Sequence, residues 1–382
     1  MYKPLLEKYK SKEQIDQAIK KLTLLQTREY SIIKDFYFKL FPIYPIPTVP
    51  VETTLLQESL SVYRSRPFTK DIDYNFKKSF SYPDVSDYTT IQRANWEGRN
   101  VFYASDTLYT SISETKKMYN EKEFYVSKWG FNFRNSNIQK VNIVPLAFGQ
   151  LSMKNPWKSI LNSELNLKNH LKKNDYSDTE IDLIFHFFVK IGELFTLDNE
   201  ETYPISAFLA DQILFHQHSI KSDLLPILIY PSVTNNFDSC NFAISPFFVD
   251  KYMTLEKVFK IKIDDVSPEK VKLSFHNLAI EKSDHELNWY TMDYEKDKGY
   301  YQFKSISCSC GYNLKLLDIE NIKFIKDSQS FHHSEIMASI TEKIDLFSDL
   351  KQNPIIEEKG IVGGLWQNTT LKQTTLKLRL TK

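Results

Sequence analysis

Glycine is scarce in this sequence, at nine residues in 382. Neither GxGxxG nor a GxxxxGK run ending in Ser or Thr occurs. The backbone cradles with which dinucleotide folds and P-loops hold phosphate are therefore missing. Cysteine is rarer still: Cys240, Cys308 and Cys310 are an odd set without zinc spacing, which points to a reducing compartment. His332 and His333 stand beside Glu335, but neighbouring histidines on a helix point in different directions, so no metal site is expected. No apolar run approaches the roughly 18 residues of a membrane span. The opening MYKPLLEKYKSKEQ carries charges where a signal core would be apolar. A cytoplasmic protein without membrane contact is the expectation. Charge of one sign is also lacking: 49 Lys and Arg balance 48 Asp and Glu, a net +1. No basic stripe is present for a nucleic-acid backbone.

What the chain does contain is aromatic and apolar mass. Phe (27) and Tyr (22) are abundant and 42% of residues are hydrophobic, enough for a full buried core. Residues 12–40 have helical periodicity, and the four prolines of Phe41–Pro50 then predict an extended linker. Residues 1–55 are thus expected to form a helical N-terminal arm with a proline-rich linker. Strand–helix material follows from about residue 60. Asn155-Pro156 opens a helical insertion over 150–200, and Ser177 is a predicted N-cap of a second helix running to about Leu197. That helix is apolar nearly all round, and its His186 reads as a satisfied core histidine. A further helix is predicted over Ile205–Gln217, then LLPILIYPSV (Leu224–Val233) as a buried strand. From about 261 to 382 the alternation of charged and apolar residues predicts antiparallel strands with one wet face, a helix near 333–350 and a loosely ordered end.

Two segments carry the chemistry. In RANWEGRNVFYASDTLYTSISE (Arg93–Glu114), VFYAS reads as a buried strand, Asp106 and Thr107 as helix starters, and Leu108–Met118 as a helix. Glu114 falls on its second turn, near the strand end that carries Tyr103. In SVYRSR (Ser61–Arg66), alternation puts Val62, Arg64 and Arg66 on one face and Tyr63 and Ser65 on the other. Two guanidiniums on one face suit either an exposed or ion-paired surface, or a bidentate grip on phosphate.

Together with YPISAFLADQI, LIYPSV and NFAISP (Tyr203–Pro246), these blocks resemble the RES domain, a family named for its Arg, Glu and Ser. The resemblance spans about residues 58–260. Gln92 departs from it, standing where the family pattern has glycine before Arg93. The resemblance implies an α+β fold: an ADP-ribosyltransferase-like core of two small packed sheets over 56–260, with the N-terminal arm and a β-rich C-terminal extension added. It implies an NAD+-degrading toxin, acting by hydrolysis or phosphorolysis or by ADP-ribose transfer to protein, paired with a helix-turn-helix antitoxin. NAD+ is then a substrate, and no other cofactor is called for. Glu114 is expected to stabilise the ribosyl cation, against an ordinary surface role beside Lys117. Tyr103 would stack on nicotinamide or ribose, against plain core packing. Arg64 is the first choice for the diphosphate and Arg93 the second, while Arg66 and Arg99 read as surface or structural. Ser232, at a strand end, would donate to ribose or phosphate, since no GxSxG elbow makes it a nucleophile. Asn241 and Tyr203 complete the candidate pocket. A non-enzymatic nucleotide sensor or partner-binding domain is the competing class, and a homo-oligomer stays open.

Overall fold

The computed structural model describes residues 2–43, 48–70, 72–84, 90–118, 122–134, 136–146, 163–197, 199–215, 227–234, 236–266, 271–283, 285–293, 306–307, 313–314 and 377–380. The chain is mixed α and β with an open sheet. It divides into two compact units, the first being residues 1–66, 78–120 and 127–256, the second 67–77, 121–126 and 257–382.

In the first unit three helices open the chain: α1 (Lys3–Lys8), α2 (Lys12–Thr23) and α3 (Tyr30–Leu40). Ile15, Ala18, Ile19 and Leu22 of α2 recur at helical spacing and are buried. They do not form a free-standing arm. The helices α1 and α2 pack on α7 (Asp178–Leu194), and α3 packs on α8 (Tyr203–Leu214). Tyr37, Phe41, Phe187 and Phe208 interlock between them with centroids 5.1–5.6 Å apart. Burying each such ring stabilises by about 2 kcal/mol. The proline-rich stretch also does more than link: its end becomes β1 (Val49–Glu52), paired antiparallel to β5 (Lys140–Pro145). Pro50 is tolerated there because β1 is an edge strand. Ser177 begins α7 as expected, in a capping box with Glu180. His186 of α7 faces Asp16 of α2 at 2.8 Å. The helical insertion expected over 150–200 includes, within the described residues, α6 (Ser163–Lys173).

The remaining elements of this unit are α4 (Thr53–Ser59), β2 (Ser61–Pro67), β3 (Phe102–Ser105), α5 (Leu108–Met118), β4 (Glu123–Phe131), β6 (Ile227–Pro231), β7 (Cys240–Ile244) and α9 (Pro246–Tyr252). The strands follow the order β1-β5-β6-β7-β3-β2-β4. The pairs β1–β5, β2–β3, β3–β7 and β6–β7 are antiparallel and β5–β6 is parallel. These strands form one hydrogen-bonded series. Every residue of β6 and β7 is buried, Asn241 of β7 among otherwise apolar neighbours.

The second unit holds an antiparallel meander of β8 (Met253–Val266), β9 (Val271–Ser283) and β10 (Glu286–Asp293). Phe259, Ile261 and Ile263 are buried while Lys262 and Asp264 are exposed, the one-wet-face pattern read from the sequence. Two short strands, β11 (Ile306–Ser307) and β12 (Asn313–Leu314), pair with each other, and β13 (Lys377–Leu380) pairs with β10. The helix expected near 333–350, Cys308, Cys310, His332 and His333 lie outside the described residues. No described helix is long and apolar enough to cross a membrane.

Candidate functional site

Four strands of the first unit bring one row of side chains together. Tyr63 of β2 stands opposite Ser105 of β3, Ser105 opposite Asn241 of β7, and Asn241 opposite Tyr230 of β6. Residues directly opposite in an antiparallel pair point to the same face. Tyr103 lies two residues from Ser105 and shares that face.

Helix α5 covers this face. Its start is the turn after Ser105, where the Thr107 hydroxyl accepts from the Thr110 amide at 3.0 Å. Asp106 does something else. Its Oδ2 accepts from the Cys240 amide at 3.0 Å, and its own amide donates to the Cys240 carbonyl at 3.0 Å. This clamps the end of β3 to the beginning of β7. Burial pushes the Asp106 carboxyl up to about 7, against the pull of the amides of Cys240, Asp106 and Thr107. Its Oδ1 is buried without a hydrogen-bond partner.

The sheet-facing stripe of α5 is polar. Thr110 donates to Ser239 Oγ at 2.8 Å, Ser111 shares a 2.7 Å hydrogen bond with Ser65 of β2, and Glu114 reaches the row described above. Glu114 Oε1 accepts from Ser232 Oγ at 2.7 Å, Asn241 Nδ2 at 2.8 Å and Thr234 Oγ1 at 3.0 Å. Asn241 is itself oriented by Ser105, whose hydroxyl donates to Asn241 Oδ1 at 2.8 Å. Three donors on one oxygen fix the carboxylate in place, and Oε2 accepts no hydrogen bond from the described residues. Thr234 is a member that the sequence did not single out. It sits in the loop after β6, which closes through left-handed Asn236 (φ 48°) and Phe237 (φ 65°). A hydroxyl two residues beyond Ser232 at a strand end was the only signal available.

The opposite charge near Glu114 is Arg93. Its Nη2 donates to the Leu197 carbonyl at 3.3 Å and to the Tyr203 hydroxyl at 3.4 Å. The guanidinium carbon stands 5.4 Å from the Tyr203 ring centroid. Arg93 Nε is buried without a partner. Burial disfavours the Arg93 charge, but Tyr230, Tyr203 and Glu114 outweigh it and hold the guanidinium above its ordinary value. The Tyr230 hydroxyl is pushed up chiefly by burial, with Arg93 pulling it down and Glu114 and Tyr203 adding to the rise. Arg93 is carried by a short loop in which Gln92 N–H donates to the Asn95 carbonyl at 3.1 Å. This turn needs no left-handed residue at Gln92. Gly98 (φ 71°) takes the left-handed position in the following turn, closed by Arg99 N–H to the Trp96 carbonyl at 3.0 Å. Tyr103 braces the loop: its hydroxyl donates to Asn95 Oδ1 and accepts from the Ala94 amide, both at 2.9 Å.

Arg64 does not join this group. Next to Tyr63 in a strand, it points to the other face of the sheet. There its guanidinium lies 5.8 Å from the Phe102 ring centroid, and Phe102 meets Trp129 edge-on. Nε donates to the Ser81 carbonyl and Nη1 to the Tyr103 carbonyl, each at 3.0 Å. The expectation that Arg64 shares a pocket with Tyr103 and Glu114 is therefore corrected. Strand alternation gives relative faces only, and hydrogen bonds to main-chain carbonyls satisfy a guanidinium as well as phosphate does. Arg64→Lys keeps the charge but cannot reach two carbonyls with a fork. It is expected to lower unfolding free energy by about 1–2 kcal/mol in urea titration. Arg66 likewise donates to the Ser79 carbonyl, and Arg99 lies 3.3 Å from Asp211, as structural readings of both require.

Among the described residues no three His, Cys, Asp or Glu side chains gather as a metal site. No family model, curated protein or solved structure matches this chain.

Proposed function

We propose that this chain is an NAD+-consuming enzyme of the RES kind, with an ADP-ribosyltransferase-like core, that cleaves the nicotinamide–ribose bond. The observation that carries the reading is Glu114: a carboxylate held by Ser232, Thr234 and Asn241 through one oxygen, with its second oxygen taking no hydrogen bond from described residues. Arg93 and Tyr230 are close enough to feel its charge. Breaking the C1′–N bond releases neutral nicotinamide and leaves positive charge on the ribose. A fixed carboxylate stabilises that charge as it forms and accepts from the ribose hydroxyls. Water then gives ADP-ribose and a proton, and phosphate gives ADP-ribose phosphate. Arg93, with a buried donor unused, takes over the anion-binding role first considered for Arg64.

Two aspects of the arrangement favour catalysis over sensing. The carboxylate is oriented by more donors than surface display requires, and Ser232 is committed as a donor to Glu114 and not as a nucleophile. The toxin role, a cytoplasmic setting and a helix-turn-helix antitoxin covering the site belong to the same proposal. Incubating the purified chain with NAD+, with and without phosphate, and identifying products by mass tests it. Nicotinamide release is expected. Intact NAD+ under both conditions overturns the reading.

A further inference from the structure

The loop that carries Arg93 is held at both ends by a single helix. Tyr203, in the first turn of α8, meets Arg93. Asp211, two turns on, lies 3.3 Å through Oδ1 from Arg99 Nε, an ion pair without an aligned hydrogen bond. Arg99 also stands 5.4 Å from the Phe215 ring. The other oxygen of Asp211 is taken by a residue far away in sequence: Tyr30, at the start of α3, donates its hydroxyl to Asp211 Oδ2 and accepts from Gln212 Nε2. Asp211 and Gln212 are both buried. The Tyr30 ring meets Trp96, inside the loop, edge-on at 5.0 Å, and Phe208 of α8 at 5.3 Å. One tyrosine of the N-terminal helices thus touches the loop directly and through the carboxylate that pairs with its end.

We infer that Tyr30 is a positioning residue for the candidate site, which fixes the Arg93–Arg99 loop from the N-terminal helices by orienting Asp211 and packing edge-on against Trp96. A ring alone would fill the space beside Phe208. The hydroxyl ties a buried carboxylate and a buried amide together, taking Asp211 Oδ2 while Oδ1 stays with the Arg99 charge. Burial and the bond to Asp211 push the Tyr30 hydroxyl well above its ordinary range, so it stays a donor at working pH. Among the sequence blocks that suggested the site, none includes residues 1–55. The contact therefore gives that segment a role beyond packing.

The kinetic consequence rests on the proposed NAD+ chemistry, while the structural one does not, and the test separates them. Tyr30→Phe keeps the ring and removes the hydroxyl. Amide hydrogen exchange over residues 94–99 is expected to accelerate about tenfold, with residues 102–105 and α5 unchanged. Unchanged exchange over 94–99, or a uniform rise along the chain, overturns the inference whether or not NAD+ is cleaved. If nicotinamide is released, Tyr30→Phe should raise KM for NAD+ about tenfold while kcat stays within about twofold. Asp211→Asn should do the same, and the double variant should be no worse than Asp211→Asn alone. Additive effects, or a KM that does not move, would remove Tyr30 from the positioning of Arg93.

Discussion

Glu114→Gln is expected to cut nicotinamide release by about a thousandfold, equivalent to roughly 4 kcal/mol of transition-state stabilisation. Glutamine keeps the length of the side chain and an oxygen able to accept from Ser232, Thr234 and Asn241, so the helix-to-sheet contact survives. What it loses is the negative charge that would face the ribosyl cation, and it places an amide N–H where Oε2 stood. A loss confined to turnover, with unfolding in urea unchanged within about 0.5 kcal/mol, separates chemistry from structure. Turnover within a few-fold of the parent protein would take Glu114 out of the mechanism.

Asp106 sets the second large effect, on stability. Its carboxyl titrates near about 7 in the folded protein against an ordinary 3.8, because burial opposes the charge. In that window the folded chain holds a proton that the unfolded chain has released. Stability from this group is therefore complete below the ordinary value and falls as pH rises toward 7, by about 1.4 kcal/mol per unit. Between about pH 5 and about pH 8 the chain should lose roughly 2–3 kcal/mol from Asp106 alone. Asp106→Asn removes this loss while its amide oxygen can still accept from Cys240 N–H. Urea unfolding of both proteins at the two pH values reads the difference directly. If the parent and the variant show the same pH dependence, the buried carboxyl is not the cause.

The parts of the fold that were legible in the sequence are those where local chemistry and burial agree. The helix Leu108–Met118 was read with the bounds it has, and the capping box at Ser177 marked the start of α7. The apolar run of β6 read as a strand because strands covered on both faces need no alternation. Other parts followed from contacts that local pattern does not encode. Thr107, Thr110, Ser111 and Glu114 form a hydroxyl-rich stripe that ordinarily faces water. Here Thr110 and Ser111 are buried and the stripe meets matching hydroxyls and an amide on β2, β7 and the loop before β7. The faces of β2 were separated correctly, but alternation cannot tell which face meets α5, and Arg64 fell on the other one. Thr234 and Tyr30 were not legible because their partners lie 120 and 181 residues away. The proline-rich segment looked like a spacer because proline cannot donate to a ladder, a restriction that an edge strand escapes.

The carboxylate of Glu114 is oriented by groups 118, 120 and 127 residues further along the chain. During translation this side chain therefore leaves the ribosome long before the residues that give it direction. A nascent polypeptide stalled in α8 would contain Glu114, Arg93 and Tyr103 but not Ser232, Thr234 or Asn241. The arrangement around Glu114 is complete only once β7 has emerged.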